Sequence, residues 1–130
     1  MQNRGLTVAG FLSEAEVMEG KKVRYWLHNI RTGEKRLLAS INPEFVSELN
    51  VGQFHFDPGT FAYAGRILKA SMNADALVID EYGPLEVEGK GLREAFDFAL
   101  QHFRGYLFVS VRKSLLSHLK QRIRMVSRKG

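Results

Sequence analysis

The run ALVIDE, residues 76–81, ends an apolar stretch with two adjacent carboxylates, Asp80 and Glu81. A short apolar run of this kind reads as a buried parallel strand. Open parallel sheets bind their ligands at the carboxyl ends of the strands, where these two acids fall. Carboxylate oxygens are hard ligands suited to Mg²⁺. At such a strand end an Asp helps to hold the cation of a nucleoside triphosphate, and a neighbouring acid orients or deprotonates the attacking water. The same pattern also describes an acidic loop after a buried strand.

The next residues, GPLEVEGKG, imitate a phosphate-binding loop. The genuine pattern is G-x-x-x-x-G-K-[ST], between a strand and a helix. Here the spacing from Gly83 to Gly89 is too long, and Gly91 stands where Ser or Thr would bind Mg²⁺. Glu81, Glu86 and Glu88 would repel phosphates. Gly89 and Lys90 read instead as the entry to a helix beginning near Leu92. No Gly-Lys-Ser or Gly-Lys-Thr occurs elsewhere in the chain.

Other chemistry is poorly supplied. His28, His55, His102 and His118 lack metal-ligand spacing, and no G-x-S-x-G elbow is present. Trp26, Tyr25, Phe54 and Phe56 could stack bases, although strand aromatics more often pack a core. With no cysteine, the chain has neither disulfides nor thiolate metal sites. No apolar run approaches the roughly 18 residues of a membrane span, and the segment MQNRGLTVAGFL lacks the features of a signal peptide. A cytoplasmic setting without membrane contact is therefore expected.

The net charge of +5 is unevenly placed. Seven of the 19 basic residues lie between Arg112 and Gly130, where there is no acid; the other 111 residues carry 12 basic and 14 acidic groups. Such a basic segment is either a solvated helix face or a site for an anionic partner such as nucleic acid.

The elements that must position these residues are legible in outline. Leu6–Ser13 reads as a strand. Lys22–Ile30 alternates, with Val23, Tyr25 and Leu27 on one face and Arg24, Trp26 and His28 on the other. The RTGE turn places Gly33 where positive φ is expected, and KRLLASI returns as a strand. Asn42–Asn50 reads as a loop or a helical turn. Gly52–Phe56 is a short strand. Asp57 and Pro58 then start a helix as N-cap and first residue. Leu92, Ala95, Phe96, Ala99, Leu100 and Phe103 keep helical spacing. Gly105–Val111 is another apolar strand. KSLLSHLKQRIRMV forms a last amphipathic helix with Leu115, Leu116, Leu119, Ile123 and Val126 inward, its end alternatively a short strand. The expected fold is one α/β domain over residues 1–130. Its mixed sheet is an antiparallel meander first and parallel strand-helix-strand units second.

The stretch VIDEYGPLE, Val78–Glu86, resembles the thermophile-type P-loop nucleoside-triphosphatase family. The shared features are Asp80, Glu81, Gly83, Pro84, Leu85 and Glu86. The likeness continues in GFLSEAEVMEGKKVRYWLHNIRTGEKRLLAS, in VGQFHFD and in LREAFDFAL, and covers roughly Gly5 to Ile123. The resemblance implies a P-loop NTPase-like fold, with Asp80 binding Mg²⁺ and Glu81 activating water. The family's opening unit of strand, phosphate loop and helix is not found in this sequence, which is read as a truncated form of the fold. Where the family often has a Thr-Val-His-Arg type segment, this chain has Ser110, Val111, Arg112 and Lys113.

The expected function is a degenerate nucleoside-triphosphatase-like module for binding, regulation or assembly, without independent hydrolysis and with weak Mg²⁺ affinity. An alternative is half of a split Mg-dependent NTPase completed by a partner chain, with Arg112 and Lys113 facing phosphates. A further alternative is nucleic-acid binding by the basic C-terminal helix. A strand missing from the sheet also implies open edges, to be covered by a second copy or another chain.

Overall fold

The computed structural model describes residues 5–43, 45 and 47–127. Among these described residues, seven strands form one mixed sheet: β1 Val8–Met18, β2 Lys21–Asn29, β3 Lys35–Ser40, β4 Asn50–Val51, β5 Phe54–Phe56, β6 Ala76–Tyr82 and β7 Tyr106–Val111. Four helices accompany them: α1 Pro58–Lys69, α2 Pro84–Val87, α3 Arg93–His102 and α4 Leu116–Ser127. The strand order is β4-β5-β3-β2-β1-β6-β7. Pairing is antiparallel from β4 through to β1 and parallel across β1, β6 and β7.

The division expected from the sequence is thus present, and β1 is its hinge. It pairs antiparallel with β2 and parallel with β6. Its first four residues, Val8 to Phe11, run beside Ala76 to Ile79, after which the two strands part. β1 then continues to Met18, five residues beyond the expected end at Ser13, because β2 still supplies hydrogen-bond partners. The turn follows at Glu19 and Gly20, both at positive φ.

Alternation in β2 falls as expected. Leu27 is buried and Tyr25 packs on the core, while Trp26 donates Nε1–H to Glu16 on the other face. Trp26 is therefore not the core residue that its type suggests. Gly33 has φ +79° and joins β2 to β3. The α1 cap also holds: the Asp57 carboxylate accepts the Gly59 N–H at 2.8 Å. Glu44 and Val46, within the Asn42–Asn50 segment, lie outside the described residues, as do Arg128 and Lys129 of the basic C-terminus. The described residues between Asn42 and Leu49 form neither helix nor strand.

One face of the sheet meets the helices. Phe11, Leu27, Leu77 and Ile79 from the strands join Ala64 and Leu68 of α1, Phe96 of α3 and Leu119 of α4 in one core. The i, i+3, i+4 apolar stripe of α3 explains its place there. α4 stays helical to Ser127, so the alternative final strand is not formed. Its stripe is only partly covered: Leu119 and Val126 are buried, but Leu116 and Ile123 are more than one third exposed.

β7, expected as an apolar strand, lies at one edge of the sheet, and its Tyr106 and Phe108 are exposed. Burial follows neighbours, and β7 has a strand on one side only. Among the described residues, no helix is long and apolar enough to cross a membrane.

Candidate active site at the carboxyl end of β6

Asp80 and Glu81 end β6 differently. Asp80 lies opposite Ser110 of β7, but the next registered pair is Tyr82 with Val111. Glu81 is thus an extra residue in the ladder, a bulge of the kind that re-aims side chains. Both acids can therefore serve the same end of the sheet. Without the bulge, strand alternation would send them to opposite faces.

The Asp80 carboxylate spans the fork left where β1 parts from β6. Its Oδ2 accepts the Ser13 N–H at 3.0 Å, and its Oδ1 accepts the Ser110 hydroxyl. One half-buried side chain thus ties β1, β6 and β7 together. Glu81 is exposed, with Oε2 3.5 Å from the Arg112 Nε. Of the two basic candidates, Arg112 meets Glu81. Lys113 opens a short 3-10 turn and does not line the adjoining cleft.

Gly83, Pro84 and Glu86 form a structural brace. Pro84 starts the four-residue helix α2. Glu86 is 5% exposed. Its two oxygens accept the Gly83 and Leu92 N–H groups, each at 2.9 Å. Burial pushes its carboxyl above the usual carboxylate range, against the lowering effect of those backbone bonds. Arg93 donates to the Glu86 carbonyl at 2.9 Å, which closes the turn into α3. Lys90 donates its N–H to the Leu85 carbonyl and pairs with Glu88. With Gly89 at φ +84°, the Gly-Lys pair closes the end of α2. Only the Lys90 carbonyl, which accepts the Arg93 N–H, touches the start of α3, so the expected helix entry is only partly met.

A cleft of about 170 Å³ opens beside the acids. Asp80, Glu81 and Arg112 line it together with Tyr25, Phe54 and Phe56. These rings also hold one another: Tyr25 meets Phe54 edge-on at 5.1 Å, and Phe56 stacks on Phe61 at 5.5 Å.

Asp80, Glu81 and the Ser110 hydroxyl supply the hard oxygens that Mg²⁺ accepts. Their kind fits the ion, but their number is small. Among the described residues, no group of three or more His, Asp or Glu side chains could hold a metal. The roles of Ser13 and Ser110 were not found from the sequence. Ser110 could have been, had the register of β7 on β6 been known.

A mixed sheet with parallel strands at one side, an acid pair at a parallel strand's carboxyl end and helices on one face defines an NTPase-like α/β domain. The chain belongs to the NTPase family, whose model matches residues 1–129. It is 29% identical over 121 residues to the nucleoside-triphosphatase THEP1 of Caldivirga maquilingensis, covering 92% of this chain and 68% of that protein. It is 24% identical over 124 residues to the protein of the same name from Methanothermobacter thermautotrophicus, covering 94% of this chain and 69% of that one. The crystal structure of THEP1 from the hyperthermophile Aquifex aeolicus has the same fold. Its TM-score is 0.70 at 21% identity, over 94% of this chain and 71% of that one.

Proposed function

We propose that these 130 residues act as a degenerate NTPase-like module for binding or assembly, without hydrolysis of their own. The observation that carries this reading is the commitment of the acid pair within the fold. Both Asp80 oxygens accept internal hydrogen bonds, and Glu81 faces Arg112. Mg²⁺ held by Asp80 and the Ser110 hydroxyl would need water or phosphate oxygens to complete its octahedron, so the affinity should be weak. When bound, the ion would neutralise phosphate charge. Glu81 would release Arg112 and turn toward a water molecule, and Arg112 would be free to face an anionic group. Among the described residues, no backbone cradle for β- and γ-phosphates supports the acids.

The test is steady-state ATP and GTP hydrolysis with Mg²⁺. Only background turnover is expected. Robust turnover abolished by Glu81→Gln would overturn the reading. Calorimetry with Mg²⁺ and nucleotide should give weak binding that Asp80→Asn weakens further.

A second reading is half of a split Mg-dependent NTPase, with a partner supplying the phosphate cradle. The open outer edge of β7 favours it. Recovery of hydrolysis on adding a phosphate-loop polypeptide would distinguish it from the first. Nucleic-acid binding by α4 has less support, because Arg122 is already held by Asp97 through both Nε and a terminal nitrogen. A cytoplasmic location is consistent with either NTPase-like reading and would be tested by fractionation.

A further inference from the structure

The face of the sheet away from the helices changes character halfway across. Over the antiparallel half it is built for water. Glu16 accepts from Arg24 and Trp26, and Glu14 meets His28 and Lys35. Over the parallel half it carries Val8, Val78, Tyr106 and Phe108. Tyr106 is 67% exposed, Phe108 57% and Val8 39%. Register places Gly10, Val78 and Phe108 in one row, with Val8, Ala76 and Tyr106 in the row before it. Parallel sheets are ordinarily covered on both faces. An antiparallel sheet tolerates one wet face, so the two halves differ in what they require.

The same place has an open edge. Among the described residues, β7 pairs with β6 alone. Edge strands are usually guarded by charges, proline, bulges or a covering loop. The β7 sequence YLFVSV has neither charge nor proline, and its one register shift faces β6. A free backbone edge joined to an apolar face is what strand addition requires: main-chain bonds for affinity and side-chain contacts for specificity.

Charge selects the occupant. From Phe98 to the C-terminus the chain has no Asp or Glu. Arg104 precedes β7, and Arg112 and Lys113 follow it. A second copy suits this edge poorly. In a two-fold antiparallel pair with Phe108 opposite its own counterpart, Arg104 falls opposite the partner's Arg112. Like charges directly opposite each other destabilise a strand pair.

We propose that β7 accepts an extended segment of a different polypeptide, apolar at alternate positions and acidic at its ends. Its backbone continues the sheet. Its apolar side chains cover Tyr106 and Phe108, and its acids meet Arg104 and Lys113, since Arg112 is paired with Glu81. This deepens the assembly part of the function proposed above and does not depend on nucleotide binding.

The probe is a fluorescent synthetic peptide, Glu-Glu-Thr-Val-Thr-Val-Thr-Val-Glu-Glu, beside its counterpart with Lys for every Glu. The acidic peptide is expected to bind at least about tenfold more tightly, a difference of roughly 1.4 kcal/mol. It should slow hydrogen exchange of the outward-facing β7 amides. Phe108→Thr should weaken binding by a similar factor without shifting the urea midpoint; Tyr106→Thr serves if that variant does not fold. Equal binding of both peptides, or no slowing of exchange in β7, overturns the proposal. Concentration-dependent dimers lost on Phe108→Lys would overturn it in favour of a second copy. Oligothymidylate binding lost on Phe108→Thr, without peptide binding, would overturn it in favour of nucleic acid. Turnover in the hydrolysis assay would remove the degenerate-domain reading and leave this proposal standing.

Discussion

Glu86 is more informative than the acids beside it. Its carboxylate is buried, yet it accepts two backbone N–H groups that nothing else nearby would satisfy. Removing it leaves those donors without partners, so Glu86→Ala should cost about 2–3 kcal/mol in urea unfolding. Its raised pKa sets a sign. The folded state holds the proton more tightly than the unfolded one, so this group's contribution to stability falls as pH rises from the usual carboxylate range to the folded value. Glu86→Gln cannot titrate. Its destabilisation relative to wild type should be largest in acid and shrink toward neutral pH, and a constant difference would contradict this. Gly91 belongs to the same brace. At φ +61°, a Cβ there would sit 2.2 Å from Glu86 Oε2. Gly91→Ala should destabilise by roughly 1–3 kcal/mol, without the pH dependence of Glu86→Gln.

Between elements, two contacts fix the frame around the acids. At Gly10, φ is +110° and a Cβ would meet the Val78 carbonyl oxygen at 2.0 Å. β1 and β6 pack against each other there through backbone. Gly10→Ala should force the strands apart and unfold the domain at lower urea than Gly91→Ala, a ranking that parallel denaturation curves would check. On the helix side, Asp97 of α3 holds Arg122 of α4 and stands 3.6 Å from Arg93. All three side chains are only about one fifth exposed. Asp97→Ala leaves two guanidinium groups with their counter-charge removed, and a loss of about 2–4 kcal/mol is expected. Exposed pairs such as Lys69–Glu94 should contribute less than about 1 kcal/mol. The β1–β2–β3 ladder responds to pH in the opposite sense to Glu86. Glu14 is held below the usual range by its Lys35 and His28 hydrogen bonds, and Glu16 by the Trp26 N–H and Arg24. Their support is present above the usual carboxylate range and is lost as pH falls through the lowered values.

At the scale of the whole molecule, the sheet is covered on one face and partly open on the other, and that asymmetry should dominate solution behaviour. Phe108→Lys should leave the unfolding free energy within about 0.5 kcal/mol of wild type while reducing light scattering on heating, because an unguarded apolar edge promotes association. A large stability loss would mean that this face is covered in the folded protein. Much of the architecture was legible beforehand. The alternation of β2, the Asp57–Pro58 helix start and the α3 stripe are local patterns, and local patterns survive folding. What escaped was set by neighbours: the length of β1, the outward position of β7, the polar placement of Trp26 and the small helix α2.

The candidate site divides along the same line. The sequence by itself determined that two acids end an apolar strand, that Gly89 and Lys90 are no phosphate grip, and that the basic charge gathers at the C-terminus. These are properties of residue type and spacing along one segment. Only the tertiary structure decided that Asp80 is tied to Ser13 and Ser110, that a bulge turns Glu81 toward Arg112, and that Glu86 is a buried brace. Each of those depends on register between strands distant in sequence, and register is fixed by which faces are buried and where strands part.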